Sequence, residues 1–170
     1  MTAALQTAAA AEGHAIPLLR RVTDTRVPLA DSPEARVVSF RPSDGGIEPL
    51  AILIGQLPLP RPVPVRLHAG GLAEDLLAAL GNGPSVRAAI AELAAAGGGV
   101  VLYLRREPPA RLPVQPFSAI SPGLGSPDAD ERVYRLAAEM LKLLGLRRIT
   151  LAGAAAGEAE RLAAYGLDVT

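Results

Sequence analysis

His68 closes the run Val63-Pro64-Val65-Arg66-Leu67-His68 and is one of two imidazoles in the chain, the other being His14. The segment from Val63 to Ser85 reads as a strand, a loop, a helical turn and a second loop, an order that brings side chains to a place where chemistry is expected. The residues found there are the wrong kind for metal or covalent work. Gly71, Asn82, Gly83 and Pro84 stand where a zinc site or a nucleophile needs thiolate, imidazole or carboxylate. His68 with Glu74 and Asp75 makes a poor zinc site, because helical spacing does not bring the three to a point. The chain has no cysteine, which excludes disulfides, Cys-ligated zinc, iron–sulfur clusters and thiol catalysis together.

Charge narrows the partners. Seventeen basic and seventeen acidic side chains cancel, so no global field draws nucleic acid or an anionic membrane, and any anion site must be local. A chain of 170 residues fits one domain that buries roughly two thirds of its unfolded surface. Apolar residues make up 49%, yet there are only two Phe, three Tyr and no Trp, so the core has to be aliphatic. Met1 to Gly13 is alanine-rich but lacks a basic leading region, and Glu12 and His14 interrupt it, which argues against an export signal. No segment approaches the ~20 uninterrupted apolar residues of a membrane span. The expectation is a soluble, cytoplasmic protein without nucleic-acid or membrane partners.

The elements that must position these residues follow from periodicity. Residues 1–33 carry no sustained period and read as a flexible Ala-rich arm, with Arg20-Arg21 as solvated charge and the folded domain spanning 34–170. Arg36 to Phe40 and Glu48 to Ile54 predict a hairpin around Ser43-Asp44-Gly45-Gly46. Leu57 to Pro64, rich in proline, predicts a connection along an edge, with strand structure at Val63 to Leu67. Val86 to Ala96 has helical spacing, Gly97-Gly98-Gly99 stops it, and Val100 to Leu104 is a continuous apolar strand. The glycines follow a helix and precede a strand, the reverse of a phosphate-cradling loop.

Pro108 to Pro127 predicts an irregular loop. Ser126-Pro127 then opens a helix whose apolar face is Val133, Leu136, Ala137, Met140, Leu141 and Leu144. Gly145 closes it, and a strand at Arg148 to Ala152, a helix at Glu158 to Ala164 and an extended piece at Leu167 to Val169 complete the chain. Helix-separated strands favour right-handed parallel crossovers, so the fold class is α/β, a single domain with a mixed β-sheet and flanking helices.

Val65-Arg66-Leu67-His68, Val101-Leu102-Tyr103-Leu104-Arg105-Arg106-Glu107, Asp130-Glu131-Arg132-Val133-Tyr134 and Leu143-Leu144-Gly145 stand in an order and spacing that closely resembles GTP cyclohydrolase II. That family opens riboflavin synthesis by zinc-dependent hydrolysis of GTP to a diamino-ribosylaminopyrimidinone phosphate, formate and pyrophosphate. The resemblance runs from about Ala35 to the last residue. It implies three zinc cysteines, whose positions are here Gly71, Asn82 and Pro84. The family's Glu-Gly-Arg, which wraps the nucleotide, is Glu107-Pro108-Pro109, and about ten following residues with an active-site tyrosine are missing. The family's Asp-x-Arg, an acid/base aspartate and an arginine that attacks the α-phosphate, survives as Asp130 and Arg132. The family's Thr-Asn-Asn-Pro-x-Lys, which contacts base and phosphates, is Gly153-Ala154-Ala155-Ala156-Gly157-Glu158, with glutamate replacing a phosphate-facing lysine.

Each carried-over residue also has an ordinary reading. Asp130 in a first turn suits the helix dipole, Glu131 can pair with Arg135 one turn on, and Arg105-Arg106 is a strand-end surface cluster. Arg66, His68, Arg105 and Glu107 are the ligand-binding candidates that the resemblance implies. The expected protein is a pseudoenzyme of this family without zinc or other cofactor, a binding or regulatory subunit. Its expected ligand is GTP or another phosphate-bearing small molecule, held weakly, and its expected assembly a homodimer or a heterodimer with an active paralogue. The alternative is a metal-free enzyme that cleaves a nucleotide phosphoanhydride through Arg132 and Asp130.

Overall fold

Val100, Val101, Leu102 and Leu104 are all buried, on both faces of their strand, and this fixes where the strand lies. In the computed structural model, which describes residues 18–70, 85–105 and 127–170 (127–130 by backbone alone), that strand is β5 (Gly99–Arg105). It is the middle of a seven-stranded sheet. The others are β1 (Leu19–Arg26), β2 (Arg36–Pro42), β3 (Leu50–Ile54), β4 (Val63–Gly70), β6 (Arg148–Leu151) and β7 (Asp168–Val169), in the order β1-β2-β3-β5-β4-β6-β7. The β1–β2, β2–β3 and β3–β5 pairs are antiparallel, and β5–β4, β4–β6 and β6–β7 are parallel. The described helices are α1 (Val86–Ala95), α2 (Pro127–Leu143) and α3 (Glu158–Ala164). The mixed α/β sheet is as the alternation of elements predicts, and among the described residues no helix is long and apolar enough to cross a membrane.

Strand parity divides the core. Val38, Phe40, Ala51, Leu53, Val63, Val65, Val100, Leu102 and Leu104 point to one face, where Leu136, Ala137, Met140 and Leu141 of α2 and Leu162 of α3 cover them. The opposite face carries Ile54 and Val101 under Ala89 and Leu93 of α1, a much smaller cluster. Ser85 caps α1, its hydroxyl accepting from the Ala88 amide at 3.1 Å. The Gly97-Gly98 stop is realised by the Gly98 amide donating to the Leu93 carbonyl at 2.9 Å.

Two expectations are corrected. The arm expected over residues 1–33 is not one from Leu19 onward: β1 pairs along its length with β2, and residues 1–17 lie outside the described part. Periodicity missed β1 because every residue after Leu19 is exposed, so no apolar alternation marks it. The edge expected for the proline stretch is also revised, since Pro64 lies within β4, between β5 and β6. Val65 faces β6, where its carbonyl accepts from Ala152 at 2.9 Å. Pro64 therefore faces β5, where the ladder begins only at Val65, and its missing N–H leaves no rung unmade. The loop expected over 108–127 falls outside the described residues up to 126.

Candidate functional site

Parallel strands converge on one edge, at the carboxyl ends of β4, β5 and β6, the place where open α/β sheets bind ligands. On β4, Leu67 and Ala69 turn to the large core, so Arg66 and His68 turn to the α1 face. Register sets His68 beside Tyr103 and Gly70 beside Arg105. The His68 and Tyr103 rings stack, with centroids 5.4 Å apart and planes at 9°. Arg66 precedes this aromatic pair on β4, and exposed Arg105 follows it on β5. Stacked rings with an arginine on the strand to either side group aromatic faces and cations of the kind that hold planar, anionic molecules.

Arg66 is held from the neighbouring strand. Its Nη1 donates to the Ala152 carbonyl at 3.0 Å in a partly buried setting. Gly153, the next residue, has φ +64°, and a Cβ there would run into the Arg66 guanidinium. Glycine at this position thus supplies both the backbone conformation and the room for the cation.

The loop from Gly153 to Glu158 closes on itself. Glu158 Oε2 accepts from the Ala155 amide at 3.0 Å and its Oε1 accepts from the Tyr134 hydroxyl at 3.4 Å. Arg161 lies over the Tyr134 ring, 5.0 Å from its centroid. Tyr165 donates to Glu131, and that hydrogen bond to a carboxylate raises the phenol above its ordinary pKa.

Arg132 lies on α2, which covers the other face of the sheet. Its Nη2 donates to both carboxylate oxygens of Asp44 in the β2–β3 turn, at 2.9 and 2.8 Å. Asp44 also accepts from the Gly46 amide at 3.1 Å. The Gly46 hydrogen bond first, and Arg132 after it, hold the carboxyl below its ordinary pKa against a partial desolvation. A Cβ on Gly46 would meet the Arg132 head, so the turn is shaped to receive it.

The GTP cyclohydrolase II family model matches residues 20–170. The chain belongs to the GTP cyclohydrolase II family. It is 39% identical to a GTP cyclohydrolase-2 of Azospirillum brasilense over 92% of its own length and 44% of the relative's. It is 37% identical to a GTP cyclohydrolase-2 of Xylella fastidiosa strain Temecula1, over 87% and 40% of the two chains. With the riboflavin biosynthesis protein RibBA of Bacillus velezensis it shares 31% identity, over 90% and 42%. The chain therefore spans less than half the length of these curated relatives.

Of the residues singled out in this family member, the structure brings Arg66, His68 and Arg105 together on one face and sets Arg132 on the helix packed against the other. Asp130 falls within α2, described there by its backbone only. Gly71, Asn82, Pro84 and Glu107 lie outside the described residues. Glu131, expected to pair with Arg135, instead accepts from Tyr165. Sequence reading missed Asp44 as the partner of Arg132, and it missed Tyr103. The parity of Tyr103 with Arg105 on a strand parallel to β4 was the available signal for the second, whereas nothing local marks a pairing 88 positions away for the first.

Proposed function

We propose that this GTP cyclohydrolase II family member is a pseudoenzyme: it has lost zinc and ring-opening catalysis and acts as a binding or regulatory subunit. Its ligand is a planar phosphate-bearing small molecule, GTP being the first to try, received weakly at the carboxyl ends of β4 and β5. The family zinc does not fit the residues present. The three positions the resemblance assigns to its cysteines offer one side-chain donor, the Asn82 amide, and no thiolate.

The observation that carries the reading is the fate of the β6–α3 loop. Where the resemblance expects a lysine facing phosphates, Glu158 stands, and its carboxylate is spent on the Ala155 amide and the Tyr134 hydroxyl. A negative group fixed at that spot repels the phosphates that the family's lysine would attract. The alternative reading, phosphoanhydride cleavage through Arg132 and Asp130, is disfavoured by the same kind of argument, since the Arg132 guanidinium is engaged by both oxygens of Asp44. On this reading the protein works in the cytoplasm, in the riboflavin pathway, paired with itself or with an active paralogue.

The test combines chemistry and binding. Purified protein incubated with GTP should release no formate or pyrophosphate above buffer, and metal analysis should find no stoichiometric zinc. GTP should raise the thermal midpoint, and Arg66→Ala should reduce the rise. Formate production with one zinc per chain overturns the proposal, and a GTP shift unchanged in Arg66→Ala removes the assigned site.

A further inference from the structure

The opposite edge of the sheet carries a feature that the candidate site does not use. At the amino ends of β4 and β6 there is a cavity of about 370 Å³, within the range of small-molecule pockets. Leu59, Val63 and Leu146 line it on the apolar side, and Arg61, Arg147 and Arg148 line it as well. A smaller cavity of about 130 Å³ shares Pro58 and Leu146 with it and is edged by Arg21 and Arg36. No acidic residue lines either one.

The charges do not cancel locally. Arg21 and Arg36 share a single carboxylate, that of Asp24. Arg61 donates to the Ala96 carbonyl at the end of α1, and α2 also ends here, its last carbonyls capped by the amides of Leu144, Gly145 and Leu146. Asp168 is the register neighbour of Arg148 across β6–β7, and the two form no ion pair among the described residues. Two helix ends worth about half a negative charge each, together with Asp168 and Asp24, leave an excess of about two positive charges in a chain whose total is zero. Arginine forks over an apolar floor recognise a phosphate group attached to an organic body.

We propose that this groove is a second ligand site, for a small organic molecule carrying a di- or triphosphate, separate from the carboxyl-end site and on the far edge of the sheet from it. Occupancy here would report on a phosphorylated metabolite without any need for the reactive positions of the fold.

Isothermal titration calorimetry at low salt tests it, with inorganic pyrophosphate and GTP as probes. Wild type is expected to bind both, GTP more tightly because the apolar floor takes part. Arg147→Gln/Arg148→Gln should weaken pyrophosphate binding about tenfold or more, the loss of two charge-assisted contacts, whereas Arg66→Gln/Arg105→Gln should leave that event in place. The single variant Arg61→Gln, at an exposed position, should weaken it in the same direction by a smaller factor. Absence of pyrophosphate binding to wild type, or binding indifferent to Arg147 and Arg148, overturns the inference. Loss only in the Arg66/Arg105 variant also overturns it and leaves the carboxyl-end reading standing.

Discussion

The two faces of the sheet divide the work of the molecule unequally. The face under α2 and α3 gathers a continuous apolar cluster from six strands, from Leu19 and Phe40 through Leu102 to Ile149. Among the described residues, the face under α1 buries Ile54, Ala89, Leu93 and Val101, and beyond that small cluster the same strands carry Arg66, His68, Tyr103 and Arg105. Among the described residues the first face supplies most of the packing that stabilises the fold, and the second carries the polar and aromatic side chains of the strand ends.

The sharpest way to break that comparison is to hollow the larger core. Leu102→Ala should lower the unfolding free energy by about 3–5 kcal/mol in a urea titration, and Leu93→Ala, in the smaller cluster, by about 2–3 kcal/mol. Equal losses would erase the distinction between the faces. Next is Gly153→Ala, which forces a side chain into a left-handed backbone conformation and into the Arg66 head. A loss of about 1–2 kcal/mol is expected from the backbone alone. The loss should shrink in an Arg66→Ala background, where the collision is gone, and strict additivity would show that Arg66 does not occupy the space.

Ser85→Ala should cost about 1 kcal/mol through the lost α1 cap, read as a lower thermal midpoint. The smallest effect is expected at Asp44 and Arg132, whose exposed pair contributes roughly 0.2–1 kcal/mol by double-mutant cycle. Because the folded-state pKa of Asp44 lies below its unfolded value of about 3.9, this contribution is present above that pH. It is lost as pH falls through the folded value. Asp44→Asn should therefore narrow its stability deficit in strongly acid solution, and a deficit independent of pH would assign the effect to packing.

How much of this was legible beforehand depends on how far each signal reaches along the chain. The α1 and α3 helices, the β2–β3 hairpin and the buried β5 strand are written in short-range period, and their residues lie where the pattern puts them. β1 has no period to read, since every residue after Leu19 is exposed and all but Val22 are charged or polar. Pro64 misled because proline argues against a central strand until one knows which neighbour its missing donor faces. At the site, the family motifs pointed to Arg66, His68 and Arg105, and the sheet did bring these together. The partners that decide their chemistry, Ala152 and Gly153 for Arg66 and Asp44 for Arg132, lie 86 and 88 positions away for the two hydrogen bonds, beyond anything local spacing can encode.

The placement of β5 between β3 and β4 has a kinetic side. β3 and β4 are neighbours in the chain but not in space, so the antiparallel half can zip from β1 to β3 through short connections and still lack its joint to the parallel half. Only arrival of the middle strand, after a full crossover, fuses the two. Refolding should therefore be paced by that insertion, and substitutions along Val100 to Leu104 should slow it more than equally destabilising ones in β1 or β2.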